Sequence, residues 1–398
     1  MNILLLCDLF PPAFAPRMGY LCKYLQRAGW KVTIVTEHIE DTTFATLTGN
    51  QDITYVKFKT HWLWTLALDI LCDYKEKRFF RETMKTAAGK TFDAVLCSSY
   101  RSFPLLAAAM TSRRLGLPMV VDLRDIVEQY AGTEYISHKI PNMLGLGKRI
   151  ALAFGKKTIK RRNVILKTAA CVTSVSPWHV SVLKNYNKNV RLIYNGYDAE
   201  MFFPAPVESP QFYITYTGRL LSTAMRDPSM FFEAILKLSR DGLISPEKLR
   251  VRWFVDMKSK QIITEEVRKY AGIDVFMDYF GYIPSEDVPR ILNESAMLLV
   301  LTNNTSKGVM TTKFFEYLAV GRPVLCVRSD EGCLAEVIRS TNAGLSAVNV
   351  DEIYKFIHHN FEEWSNNRVS NSKRELVGQF SREAQAREFM QIFNHILF

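Results

Sequence analysis

No stretch of this chain approaches the roughly 20 uninterrupted apolar residues that a membrane-spanning helix needs. The longest candidate, WLWTLAL from Trp62 to Leu68, is short and meets Asp69 and then Asp73. The opening MNILLLCDLFPP has no basic residue before its apolar run and breaks at Asp8 and a proline pair, so it reads as a buried strand rather than a leader. A cytoplasmic chain is expected. Seven Cys form no C-x-x-C pair, seven His no H-x-x-x-H spacing, and no D-x-D is present to hold a divalent cation against a diphosphate. These absences point away from zinc and toward metal-free chemistry, with the thiols acting as small hydrophobes. No G-x-G-x-x-G follows the first strand of either half, and FPPAFAPRMG is a poor pyrophosphate cradle, which argues against an NAD enzyme.

Acidic residues are also missing locally: none occurs between Glu134 and Asp198. The net charge of +11 lies wholly in the first half, where residues 1–200 hold 28 Lys and Arg against 16 Asp and Glu, leaving 23 against 24 for the rest. Lys139, Lys148, Arg149, Lys156, Lys157, Lys160, Arg161, Arg162 and Lys167 make a stripe that calls for an anionic partner. Apolar residues from Ile150 to Leu166 are interleaved with these cations. The Lys148–Lys167 segment therefore reads either as a helix packed on the core with a solvated basic side, or as a surface helix on anionic lipid. Nucleic acid is not expected, because neither an RNA-binding signature nor an aromatic stacking platform accompanies the charge.

At 398 residues and 48% hydrophobic composition, two domains are expected. Strand and helix patterns alternate through NILLLCDL, YLCKYLQRAG, KVTIVTE, FDAVLCSS, FPLLAAAMTSRRLG and LPMVVDLRD, then the strands TAACVTSVS and VRLIYNGYD, with Gly29 closing the first helix. The series resumes after MFFPAPVESPQ, the best linker candidate, with QFYITYTGRL, MFFEAILKLSRDG, LRVRWFVD, VFMDYFGYI, AMLLVLT and RPVLCVRS. The α/β expectation is two Rossmann-like, doubly wound domains facing across a cleft. Residues 1–206 form the first, 207–380 the second, and 381–398 a helix packing back toward the first. Ligands in such sheets bind at the C-terminal strand ends.

Two stretches at those ends carry chemistry. YTGRLLSTAMRDP puts Gly218 and Arg219 at a strand end with Arg226 beyond, and two guanidiniums there can hold a diphosphate; equally, they can be solvated surface arginines. TTKFFEYLAVGRPVL begins a helix near Thr311 and Thr312 and ends it before Gly321. Phe315, Leu318 and Ala319 give it one apolar face, so Lys313 and Glu316 share another near the anion-favouring N-terminus. Lys313 can charge-pair with a phosphate while Glu316 accepts from a ribose diol; the same spacing suits an ordinary surface ion pair. In VVDLRD, Asp122, Arg124 and Asp125 end a strand, either lining the cleft or capping the next helix.

Taken together, Pro11-Pro12 with Arg17, VVDLRD, SVSPWHVSVL with VRLIYNGYDAEMFFP, YTGRLL, FGYIPSEDVPRIL and KFFEYLAVGRPVL resemble the GT-B retaining glycosyltransferases of family 4 over most of the chain. The resemblance implies a metal-independent hexosyltransferase with no cofactor. A nucleoside diphosphate sugar would be its donor and a glycan or lipid-linked glycan its acceptor, in polysaccharide or glycolipid synthesis at the cytosolic membrane surface. It assigns Arg219 and Arg226, the latter where many relatives have Lys, to the donor diphosphate beside Gly218, with Lys313 adding charge. The helix start at Thr311 and Thr312 faces the donor, Glu316 matches the second Glu of an E-x7-E pair that contacts ribose, and Gly281, Tyr282 and Ile283 fall where the base meets backbone. Arg17, Ser99, Tyr100, Asp122, Arg124 and mainly Asp125 are carried to the acceptor.

Two positions depart from the family pattern. Gly308 occupies the place of the first Glu, and CSSYRS replaces a segment that often holds a His, leaving Ser98, Ser99, Tyr100 or Arg101 to line that side. The expected reaction breaks the sugar–phosphate bond through an oxocarbenium-like state, with positive charge on the leaving diphosphate. A sugar-nucleotide-binding partner without turnover and a GT-B sugar-nucleotide epimerase are the alternatives.

Overall fold

The computed structural model describes the chain except residues 14, 42–43, 45–46, 59–67, 101, 130–145, 303–307 and 367–375. Arg101, Lys139, most of the 62–68 apolar run and most of the NNTSKG loop lie outside the described residues, as does the side chain of Lys148. The chain divides into two compact units: Met1–Tyr194 with Arg382–Phe398, and Asn195–Ser381.

The first unit is built on seven parallel strands: β1 (Asn2–Cys7), β2 (Lys31–Glu37), β3 (Asp52–Val56), β4 (Ala94–Ser99), β5 (Met119–Leu123), β6 (Cys171–Ser174) and β7 (Val190–Leu192). They lie in the order β3-β2-β1-β4-β5-β6-β7. Both faces are buried: Leu4, Leu6, Val95 and Val121 enter one apolar cluster, while Ile3, Leu5, Leu96 and Val120 enter the other. Double burial makes such strands read as unbroken apolar runs. The edge strand β3 is half-exposed and has no such run, and the sequence reading passes over it. The second face is closed by Tyr20, Leu21 and Leu25 of the Pro16–Arg27 helix and by Phe389 and Phe393 of the Arg382–Leu397 helix.

The second unit has six parallel strands: β8 (Phe212–Thr217), β9 (Leu249–Phe254), β10 (Met277–Phe280), β11 (Met297–Leu301), β12 (Val324–Val327) and β13 (Gly344–Ala347). Their order is β10-β9-β8-β11-β12-β13. The strand order therefore reverses between β1 and β4 in one unit and between β8 and β11 in the other, where open α/β sheets hold ligands.

The division falls at Tyr194/Asn195 rather than after residue 206. The proline-rich stretch is bound to the second unit: Ala205 N–H donates to Asn293 Oδ1 at 2.8 Å, Asn293 Nδ2 donates to the Phe203 carbonyl at 3.1 Å, and Tyr197 bridges to Ser381. Its prolines mark an irregular path over a surface, not a free linker.

Candidate functional site

In the second unit, three cations gather at the end of β8. Gly218 follows Thr217 at φ +121°, a conformation glycine tolerates, and its N–H donates to the Phe254 carbonyl at 2.8 Å. A Cβ here would collide with Lys313 Nζ, so the amine lies directly against the glycine. Lys313 sits on the first turn of the Thr312–Val320 helix. Burial, followed by the charge of Arg226, pushes its ammonium down to about 8; Arg219 adds to that fall and Glu316 opposes it. Arg226 Nη1 lies 3.3 Å from the Tyr216 hydroxyl and also donates to the Arg219 carbonyl. The exposed Arg219 guanidinium is 3.4 Å from Asp256 Oδ2.

What fixes the helix to the strand is Tyr317. Its buried hydroxyl accepts from Thr217 N–H at 3.1 Å and shares a 2.9 Å hydrogen bond with Thr217 Oγ1. Thr311 precedes the helix without capping it through its side chain, and Phe314 N–H donates to the Thr311 carbonyl at 3.2 Å, so among the described residues the Thr312 and Lys313 amides are left open to an anion. Glu316 is half-buried three residues on, and Gly321, at φ +70°, ends the helix. After β10, Gly281 and Tyr282 are exposed and Ile283 is half-buried. Tyr216, Asp256 and Tyr317 went without a role in the sequence reading. Tyr317 sits inside a quoted motif, but only the β8 pairing reveals its partner.

In the first unit, two residues expected at the acceptor are internal. Arg17 and Asp122 form a buried ion pair, with Nη2 to Oδ1 at 2.9 Å and Nε to Oδ2 at 3.1 Å. Asp122 also accepts from Ser98 Oγ at 3.1 Å and Thr173 Oγ1 at 2.8 Å, and Arg17 donates to the carbonyls of Ile193 and Tyr194. Burial raises the Asp122 carboxyl, but Arg17 and these hydrogen bonds outweigh it and leave it below the usual range. Neither side chain faces solvent. Ser99 is likewise buried, and its Oγ donates to the Phe103 carbonyl at 2.9 Å.

Tyr100, Arg124 and Asp125 remain at the surface end of β4 and β5. Arg124 pairs with Asp8 and lies 5.9 Å from the Tyr100 ring centroid. Asp8, which the sequence reading did not single out, also accepts from Tyr100 N–H at 3.0 Å, and burial raises its carboxyl despite Arg124.

The basic segment forms the Leu146–Thr168 helix, and its cations divide into two sets. Arg162 is buried, with Nη1 and Nη2 on Glu128 at 2.8 and 2.6 Å. Arg161 and Lys157 bind Asp73 at 2.5 and 3.3 Å. Arg149, Lys156, Lys160 and Lys167 face solvent beside exposed Ile150, Leu152 and Val164, all on one side at the 3.6-residue period. Among the described residues no helix is long and apolar enough to cross a membrane.

Residues 17–201 match the family described as Glycosyltransferase Family 4. The match covers nearly all of the first unit's strands and none of the β8–β11 site. No curated protein matches by sequence.

Solved structures extend the likeness in fold to the whole chain. Anabaena HepE in complex with UDP is 14% identical at a TM-score of 0.66, over 99% of this chain and 100% of that one. Sucrose-phosphate synthase from Thermosynechococcus elongatus is 14% identical at 0.67, over 100% and 99%. The UDP-GlcNAc 2-epimerase of Methanocaldococcus jannaschii is 10% identical at 0.58, over 99% and 100%. The fold is GT-B, with two Rossmann-like domains.

Proposed function

We propose that this glycosyltransferase-like chain moves a sugar from a nucleoside diphosphate sugar to a glycan or lipid-linked glycan acceptor, with retention at the anomeric carbon and without a metal. The observation that carries the reading is the convergence of Lys313, Arg226 and Arg219 on Gly218. Three cations around one glycine repel each other, and a diphosphate relieves that repulsion. Gly218 leaves room for the Lys313 amine to lie against the backbone, where it can meet a phosphate, and the start of the Thr312–Val320 helix supplies N–H donors.

As the sugar–phosphate bond breaks, charge builds on the leaving oxygen, and fixed cations stabilise that state more than the ground state. The leaving phosphate can then take the acceptor's proton. Glu316 is assigned to the ribose, and Gly281, Tyr282 and Ile283 to the base. Tyr100, Arg124 and Asp125 are assigned to acceptor hydroxyls; Arg17, Asp122 and Ser99 drop out because they are buried. HepE and the M. jannaschii epimerase both carry uridine nucleotides in their descriptions, so uridine diphosphate sugars head the donor panel. The test is radiolabel transfer from that panel to glycan and lipid-linked acceptors. Binding without transfer favours a non-catalytic partner, and interconversion of donors without acceptor favours the epimerase.

We further propose that the chain works in the cytoplasm, peripheral to an anionic membrane on which it meets its acceptor. Exposed Ile150, Leu152 and Val164 beside solvent-facing Arg149, Lys156, Lys160 and Lys167 support this reading. Lys156→Glu/Lys160→Glu/Lys167→Glu should abolish sedimentation with phosphatidylglycerol vesicles at low salt while leaving uridine diphosphate binding intact. Retained sedimentation sinks the membrane reading. Arg161 and Arg162 are left untouched because reversing them would break internal ion pairs.

A further inference from the structure

Arg328 has no part in the site described above. It follows β12, and its backbone lies at φ +59°, a left-handed conformation that arginine keeps only where its surroundings hold it. They do so from both sides. Thr302 Oγ1 donates to its carbonyl, and the next residue, Ser329, donates its N–H to the Ala347 carbonyl at 2.8 Å. The side chain runs to the start of the Ser229–Arg240 helix, where Nη2 donates to Ser229 Oγ at 2.8 Å. Nε lies 2.8 Å from Asp227 Oδ2, off the direction of its N–H, so that contact is an ion pair rather than a directed hydrogen bond. Asp227 Oδ1 in turn accepts from Ser229 N–H at 2.9 Å.

Asp227 adjoins Arg226 in the chain. In the loop from Gly218 to Pro228, Leu220 is buried and donates its N–H to Ser259 Oγ at 2.9 Å, and Arg226 N–H donates to the Ser222 carbonyl at 3.0 Å. But Leu221 is exposed at φ +63°, Met225 is exposed, and among the described residues the Arg226 side chain meets Tyr216 and the Arg219 carbonyl. A half-exposed ion pair contributes little to stability, so fold stability alone does not repay a strained arginine. Presenting Arg226 in one orientation does, because a preset guanidinium loses less rotamer freedom when an anion arrives.

We propose that Arg328 is a positioning residue for the diphosphate site: by pinning Asp227 and the start of the Ser229–Arg240 helix, it fixes Arg226 toward an anion bound at Gly218. The proposal rests on the diphosphate reading of that site and adds a residue from the β12 loop to it.

Arg328→Gly separates positioning from folding, because glycine adopts φ +59° at little cost while the clamp is lost. The expected result is an unchanged or raised Tm, with Kd for inorganic pyrophosphate and for uridine diphosphate both raised about tenfold by calorimetry. Arg328→Lys, which keeps charge near Asp227 but not the second bond, should recover part of the loss. The double variant Arg226→Ala/Arg328→Gly should bind no more weakly than Arg226→Ala alone. Unchanged pyrophosphate binding in Arg328→Gly, or losses that simply add in the double variant, overturns the proposal. A wild-type chain that binds both probes but transfers no sugar defeats the transferase reading and leaves this one standing. A wild-type chain that binds neither defeats both.

Discussion

Lys313→Met should lower transfer about 100- to 1,000-fold while raising the Tm of the unliganded protein. The loss is of the size expected for removing one fixed donor from a developing oxyanion. Lys313→Arg should not rescue it, because the amine lies where even a methyl group on Gly218 would collide, and a planar guanidinium is larger still. The gain in Tm follows from the same site. Burial and Arg226 lower the ammonium from 10.5 to about 8, so between those values the unfolded chain binds more protons than the folded one. Stability therefore rises with pH across that interval, and below about 8 the folded protein carries an unfavourable charge that methionine removes. A diphosphate reverses the balance by favouring the charged amine. Calorimetry in buffers of different ionisation enthalpy should show proton uptake on binding above pH 8, absent in Lys313→Met. Full transfer by Lys313→Met would remove the amine from the mechanism.

Arg17→Leu should cost about 3–5 kcal/mol of stability, because it strands a buried carboxylate that is left with hydrogen bonds from Ser98 and Thr173 and the more distant charge of Arg124. The measurement is the urea midpoint at unchanged m-value. The intact pair holds the Asp122 carboxyl below its usual range, so its contribution is full at neutral pH and is lost as the pH falls through that lowered value. In Arg17→Leu the carboxyl rises, and acid unfolding should begin at higher pH. A variant with an unmoved midpoint but a raised KM for acceptor would restore Arg17 to the acceptor site and refute the internal role.

These two residues mark how far the sequence is legible. The alternation of apolar strands and helices follows from double burial, so eleven of the strands are readable in outline; β3 and β13, on the sheet edges and partly exposed, are not. Strand ends are harder. Asp122 and Arg124 stand two apart in VVDLRD, yet the register sets Asp122 between Ser98 and Thr173 in one buried row, while Arg124 lies past the end of β5 beside Asp8. Nothing in the linear pattern says how deep in the sheet such a position sits. The same holds for Tyr317, whose partner lies 100 residues away, and for Arg161 and Arg162, whose carboxylates come from other elements. Gly218, Lys313 and Arg226 come together because they stand at a strand end, a helix start and the loop beyond the strand, positions that local pattern does reveal.

The Arg382–Leu397 helix belongs to the first unit although the whole of Asn195–Ser381 precedes it in the chain. Phe389 and Phe393 fill the face of the sheet that Trp30 and the Pro16–Arg27 helix also cover. During synthesis, that face stays only partly covered until the residues after Ser381 have been translated. The middle of the chain, Asn195–Ser381, can meanwhile complete its own sheet. A ribosome stalled before residue 382 would therefore display a finished second unit joined to an unfinished first one. Residues 382–398 thereby tie the closing of the first sheet's face to the synthesis of the whole second unit.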